Sequence, residues 1–233
     1  MAFNFIEGEI LIIEKPLGWT SYDLIRKLKS ILKYQLGFKK LKIGHAGTLD
    51  PLASGLMIVC TGKATKRINE FQDATKEYIA SIKLGATTPS FDLESAVDQT
   101  YPTEHITQDL IKTTLQKFIG EILQVPPIFS AVKIDGKRAY ELARKGQDVE
   151  LKAKPLRIDE IEILNCEIPD LKIRIVCSKG TYIRAFARDL GIALNSGAYL
   201  SGLIRTRIGD FTLENAYKIE DLEEKIKNIP QNI

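Results

Sequence analysis

Apolar runs with a period of two and apolar runs with helical spacing follow one another along this chain without a regular strand–helix–strand rhythm. The clearest strand signal is at Tyr78–Leu84. There Tyr78, Ala80, Ile82 and Leu84 fall on one face, and Ile79, Ser81 and Lys83 on the other. Leu56–Thr61 (LMIVCT) is apolar throughout, as a strand buried on both faces must be. Further strands are predicted at Glu9–Glu14, Ser130–Ile134, Leu156–Cys166, Leu171–Cys177 and Leu200–Arg207. The clearest helix carries Leu24, Ile25, Leu28, Ile31 and Leu32, and runs to about Leu36. Thr20 followed by Asp23 has the spacing of a capping box at its start. Other helices are predicted through Arg67 and Phe71, at Gln108–Ile122, around Tyr140–Arg144, at Thr181–Leu194 and after Phe211. Ala86–Pro102 reads mostly as loop, and Asp135-Gly136 as a turn. This irregular interleaving favours an α+β fold with a largely antiparallel sheet over a doubly wound one. With 233 residues, 44% of them hydrophobic, and no linker-like stretch, the expectation is a single domain over residues 1–233.

Several function classes drop out. No run of about 18 apolar residues is present, so no membrane-spanning helix is expected. The start, MAFNFIEGEILIIEK, lacks the basic stretch and cleavage site of a signal peptide, which points to the cytoplasm. Cys60, Cys166 and Cys177 sit singly in apolar runs, a pattern of reduced core residues and neither a disulfide framework nor a zinc site. With only His45 and His105, a histidine-based metal centre is not expected.

The net charge of +3 hides an uneven distribution. Lys15 to Arg67 holds eleven basic residues against two acidic ones, and Ser130 to Arg157 holds eight against four. Acids gather elsewhere, as in Glu220, Asp221, Glu223 and Glu224. Such runs are either solvated helix faces or a footprint for a polyanion.

Within the first basic stretch lies Gly44–Gly55, GHAGTLDPLASG, a segment without periodicity between two confident elements. Loops held by rigid scaffold are where catalytic groups concentrate. Asp50 is the only acid between Asp23 and Glu70. A carboxylate in that field can serve as nucleophile, base or electrostatic stabiliser. An Asp-Pro pair also simply starts turns, and on local evidence that reading stands beside the functional one. A second unusual segment is SKGTYIR, Ser178–Arg184, where a strand ends and a helix begins. A helix starting at Thr181 would place Tyr182 and Arg184 in its first turn, where a cation opposes the helix dipole. An arginine there either snorkels to solvent or answers an acidic partner. Tyr78, at a strand start on the apolar face, is either a core aromatic or a platform on which a base can stack.

GHAGTLDPLASG, together with EKPLGWTS, KEYIASIKLG, VPPIFSAVKIDGKRAYELARKG, SKGTYIRAFARDLG and YLSGLIRTRIGDFTLENA, resembles the TruB family of tRNA pseudouridine-55 synthases, bacterial type. The six motifs are co-linear and cover about residues 9–217. The resemblance implies the pseudouridine synthase fold: a central mixed, largely antiparallel sheet flanked by helices and loops. It implies an RNA-gripping insertion at about residues 126–155. It implies that Asp50 is the catalytic aspartate, that His45 engages the RNA, and that Tyr78 stacks on the flipped uracil. By the same resemblance Tyr182 lines the nucleotide pocket, Arg184 pairs with the catalytic aspartate and Leu203 forms an apolar wall. The implied partner is the T-arm of tRNA, and the implied state is a monomer. Many bacterial members carry a C-terminal RNA-binding PUA domain; with the sequence ending at Ile233, none is expected here. The loop GATTPSFDLES departs from the threonine- and aspartate-rich version of the family.

The reaction implied breaks the N1–C1′ bond of a uridine, turns the uracil and rejoins it through C5, with no net oxidation or hydrolysis, so no cofactor or metal is called for. Asp50 could attack C6, attack C1′ or remove a ribose proton, and the residues leave these open. Two rival classes are a tRNA-binding module without activity, and a carboxylate-based nucleoside hydrolase. The second normally needs a second carboxylate beside the first.

Overall fold

The computed structural model describes residues 3–130, 133–134, 137–138 and 151–229. In chain order the strands are β1 (Ile10–Lys15), β2 (Ile43–His45), β3 (Ala53–Thr61), β4 (Lys76–Leu84), β5 (Ala86–Thr87), β6 (Gln99–Thr100) and β7 (Gly120–Gln124). They continue as β8 (Lys133–Ile134), β9 (Lys137–Arg138), β10 (Lys154–Glu167), β11 (Asp170–Cys177), β12 (Ala198–Ile208) and β13 (Phe211–Thr212). The helices are α1 (Ser21–Leu36), α2 (Ile68–Asp73), α3 (Gln108–Gln116), α4 (Ile183–Ala193) and α5 (Ile219–Lys227), with 3-10 turns at Gly62–Arg67 and Leu213–Asn215. No helix among the described residues is long and apolar enough to cross a membrane.

The chain divides into two compact units, one from residues 1–78 and 204–233, the other from residues 79–203. The boundaries fall inside β4 and β12, which is why no linker composition marks them.

In the first unit, β3 pairs antiparallel with β1, from Ile10↔Cys60 to Lys15↔Gly55, and with β2, from Ile43↔Thr61 to His45↔Val59. The end of β12 flanks β3 and carries β13. Leu56, Ile58 and Cys60 join Ala46, Phe71 and Ile208 in a core cluster, so the apolar run of β3 is spent on burial from both sides. Helix α1 buries the periodic residues Leu24, Ile25, Leu28, Ile31 and Leu32. Its capping box forms as expected: Asp23 N–H donates to Thr20 Oγ1 at 3.0 Å, and Thr20 N–H to Asp23 Oδ2 at 3.0 Å. Gly37, at φ 72°, ends the helix in the left-handed conformation that glycine tolerates best. Helix α5 packs on α1 through buried Leu222 and Ile226, with Lys27 paired to Glu223 at 2.6 Å.

In the second unit the strand order is β12-β4-β11-β10-β7. The alternation read in β4 holds: Tyr78, Ala80, Ile82 and Leu84 are buried, and their neighbours are half-exposed. Strands β10 and β11 form a hairpin closing at Glu167↔Asp170. Helix α4 buries Phe186, whose ring meets Phe118 edge-on at 5.1 Å between centroids.

Several expectations change. The helix expected at Gln108–Ile122 stops at Gln116, and Gly120–Gln124 pairs with β10 as β7 instead. Gly120 sits at φ 101°, a conformation no helix interior accepts. Phe118, Ile119 and Ile122 happen to extend the apolar spacing of α3, but Phe118 lies beyond the helix against Phe186. The helix expected from Thr181 begins at Ile183, because Gly180 at φ 81° turns the chain and Tyr182 is still extended at φ −95°, ψ 109°. Ala86–Pro102, expected as loop, contains the short pair β5–β6. Of the expected strand at Ser130–Ile134, Lys133–Ile134 is strand, paired with β9, and residues 131–132 lie outside the described residues. The turn at Asp135-Gly136, the helix around Tyr140–Arg144 and most of the expected insertion lie outside the described residues.

Candidate active site

The Gly44–Gly55 segment is pinned along its length. His45 ends β2, and Ala46 N–H donates to Ile58 O at 2.9 Å. The Ser21 hydroxyl, at the first turn of α1, accepts from Leu49 N–H at 2.8 Å and donates to Leu49 O at 3.0 Å. On the other side of Asp50, Gly18 N–H donates to Pro51 O at 2.9 Å, and Ala53 N–H closes a turn onto Asp50 O at 3.0 Å. Leu49 and Ala53 are buried while Asp50 and Pro51 are only half-buried. The turn reading and the functional reading of Asp50-Pro51 are therefore compatible: the turn is part of an anchored loop that leaves Asp50 half-buried.

Two buried cations lie close to this loop. Lys15 is fully buried, and its ammonium donates to Pro16 O at 3.0 Å and Trp19 O at 2.5 Å. Burial pushes its pKa down to about 8, with the Asp50 carboxylate drawing it up and Arg205 pressing it down. Arg205 is also buried and donates to Leu56 O at 2.8 Å and to Gly47 O at 3.2 Å. Sequence reading placed Arg205 in a strand and Lys15 in the turn that follows one, and missed the burial of both.

His45 is half-buried. Burial pushes its imidazole pKa down, the Gly47 backbone draws it back, and Arg205 adds to the lowering. Its Nδ1 is buried without a hydrogen-bond partner among the described residues. Tyr78 lies on the buried face of β4 with 9% of its surface exposed. Along α1, Tyr22, Arg26, Lys29 and Lys33 are exposed at spacings of four, three and four residues, on one face of the helix. Exposed Lys39, Lys40 and Lys42 follow, so the basic stretch is a continuous charged surface leading into β2.

In the second unit, Tyr182 caps α4. Its N–H donates to Gln124 Oε1 at 2.9 Å, and Gln124 Nε2 donates to Tyr182 O at 3.2 Å. Arg184 is buried one residue into the helix. It donates to Ser90 O at 3.3 Å and Phe129 O at 3.0 Å, and its Nε lies 3.5 Å from Asp92 Oδ2. Asp92 is 3% exposed. The acidic partner that the resemblance implied for Arg184 was Asp50; the carboxylate beside its Nε here is Asp92, which the sequence reading did not name. Asp92 sits in the loop GATTPSFDLES, where the departure from the family pattern hid it. Leu203 is half-buried in β12.

Residues 32–183 match the TruB family pseudouridylate synthase (N terminal domain) model. The tRNA pseudouridine synthase B of Phocaeicola vulgatus is 66% identical over 221 residues, covering 95% of this chain and 94% of that protein. The chain belongs to the TruB family of pseudouridylate synthases. The tRNA pseudouridine synthase B of Flavobacterium johnsoniae is 52% identical over 225 residues, covering 96% and 98% of the two chains. Among solved structures, a chain of a Cbf5-Nop10-Gar1 complex superposes with a TM-score of 0.72 at 31% identity. That match covers 94% of this TruB chain and about half, 54%, of the other. The α+β fold expected from the sequence is thus the pseudouridine synthase fold, and the chain is an isomerase of that family.

Proposed function

We propose that this chain is a tRNA pseudouridine synthase that converts uridine 55 of the T-loop to pseudouridine, with Asp50 as the catalytic carboxylate. The observation that carries the reading is half-buried Asp50 on a loop anchored on both sides, by Ser21 to Leu49 and by Gly18 to Pro51, within a TruB chain. A reacting group must be held still, because misplacement by about 1 Å can cost roughly 100-fold in rate.

The reaction is an isomerisation. The N1–C1′ bond breaks, the uracil turns, a C5–C1′ bond forms, and the proton of C5 is lost while N1 gains one. Asp50 assists cleavage of the glycosidic bond. A uridine within a folded loop must first be flipped, at about a few kcal/mol. Stacking on an aromatic ring returns roughly 1–3 kcal/mol per base, a role that falls to Tyr78. His45, half-buried at the end of β2, engages the RNA. Tyr182, Arg184 and Leu203 bind the nucleotide, with Arg184 itself held by Asp92. The exposed cations of α1 and the following loop meet phosphates.

The test uses tRNA transcript with no added cofactor. Wild type is expected to form pseudouridine at position 55, and Asp50→Asn to lose that activity while still binding the transcript. Product formation by the Asn variant near the wild-type rate would remove Asp50 from the mechanism. Release of free uracil would point to a hydrolase instead.

A further inference from the structure

We propose that Arg205 is a positioning residue for the Asp50 loop, its guanidinium tying the two ends of that loop together through Gly47 O and Leu56 O. The inference rests on the reading of Asp50 as the catalytic carboxylate. Arg205 is 1% exposed and is among the largest fully buried side chains. Removing a guanidinium from water is unfavourable unless its donors are met. Its Nε meets Leu56 O at 2.8 Å and a terminal nitrogen meets Gly47 O at 3.2 Å. These acceptors stand 149 and 158 residues away in sequence and bracket Asp50, three residues after the first end of the loop and six before the second.

The backbone makes the same junction. A Cβ on Gly55, which sits at φ 105°, would lie 2.4 Å from the Arg205 carbonyl oxygen. A Cβ on Gly47, at φ 90°, would lie 3.4 Å from the guanidinium. The loop thus closes onto Arg205 at both ends with no space for a side chain at Gly55. Arg205 also acts electrostatically on His45 and on Lys15, the two other ionisable groups flanking the loop. Its planar fork serves two carbonyls at once, which a lysine ammonium on a flexible stem does not reproduce.

Arg205→Lys separates clamp from charge. It retains a cation and loses the two-point geometry. With tRNA transcript at saturation, the single-turnover rate is expected to fall by about 10- to 100-fold, as displacement of a reacting group does. The Kd for the transcript should stay within about three-fold of wild type. A folded Arg205→Lys protein with a wild-type rate would overturn the proposal, as would a loss confined to RNA affinity. Should that variant fail to fold by circular dichroism, Gly47→Ala decides: at φ 90° an alanine strains the backbone whose carbonyl Arg205 holds, and it leaves the buried cation intact. A rate loss at unchanged Kd supports the clamp, and a wild-type rate refutes it. Wild-type protein without pseudouridine formation would refute the underlying reading of Asp50, an outcome distinct from an active wild type with an active Arg205→Lys.

Discussion

Ser21 is the hydroxyl that joins α1 to the Asp50 loop, and Ser21→Ala isolates its contribution. Ser21 is 4% exposed, and its Oγ makes two hydrogen bonds to Leu49, at 2.8 Å and 3.0 Å. Each bond contributes about 1 kcal/mol net, and the buried Leu49 N–H and C=O left unpaired carry a further penalty of roughly 1–3 kcal/mol. Alanine's better helix propensity returns about 0.5 kcal/mol. The expected loss is therefore about 2 kcal/mol or more. For a chain of this size each kcal/mol moves Tm by roughly 2–4 °C, so Tm should fall by about 4–8 °C. Leu49 adjoins Asp50, so the rate of pseudouridine formation at saturating tRNA should fall as well, while Asp50 itself is intact. Calorimetry and a single-turnover assay at a temperature well below both melting points measure the two effects. A Tm within about 1 °C of wild type would show that the Ser21–Leu49 bonds do not hold the loop. A normal rate with a lowered Tm would show that they stabilise it without placing Asp50.

Two further outcomes are expected. Lys15 titrates at about 8 in the folded protein against 10.5 for an ordinary lysine. The unfolded chain therefore binds more protons between those values, and stability due to this group rises with pH across that window. Lys15→Met should remove that rise. Urea unfolding at pH 7 and pH 9.5 should show wild type gaining on the variant by roughly 2 kcal/mol. A difference that does not change with pH would mean that Lys15 is not the titrating group. Replacing exposed Lys29 and Lys33 by alanine should weaken tRNA binding and reduce the salt slope by about one for each phosphate that is no longer neutralised. The rate at saturating RNA should be unchanged, and an unaltered salt slope would place the RNA elsewhere.

Local periodicity was a sound guide where one element met a continuous apolar surface. The five apolar positions of α1 all point inward, and the Thr20–Asp23 capping box sits where its spacing put it. The same logic failed after Gln116. There the apolar spacing of Phe118, Ile119 and Ile122 continues the period of α3, while the partner strand lies more than thirty residues further on. No window of sequence holds both strands, so the pairing of Leu123 with Pro155 was invisible to it. Of the site residues, His45 and Asp50 stand in one short, unusual segment and could be found there. Lys15, Arg205 and Asp92 could not, because an Arg in a strand reads as a surface cation until its burial is known.

Sequence by itself thus determined the α+β class, the capped helix α1, the buried strand β3 and the carboxylate at Asp50 in a basic stretch. These depend on neighbours within a few residues, where spacing and side-chain chemistry are enough. Tertiary structure alone decided what holds that carboxylate in place. The bonds from Arg205 to Gly47 and Leu56 span 158 and 149 residues, and Ser21 reaches Leu49 across 28. Their value comes from burial, which leaves backbone groups of the Asp50 loop with no water to bond and makes each of these side chains their available partner.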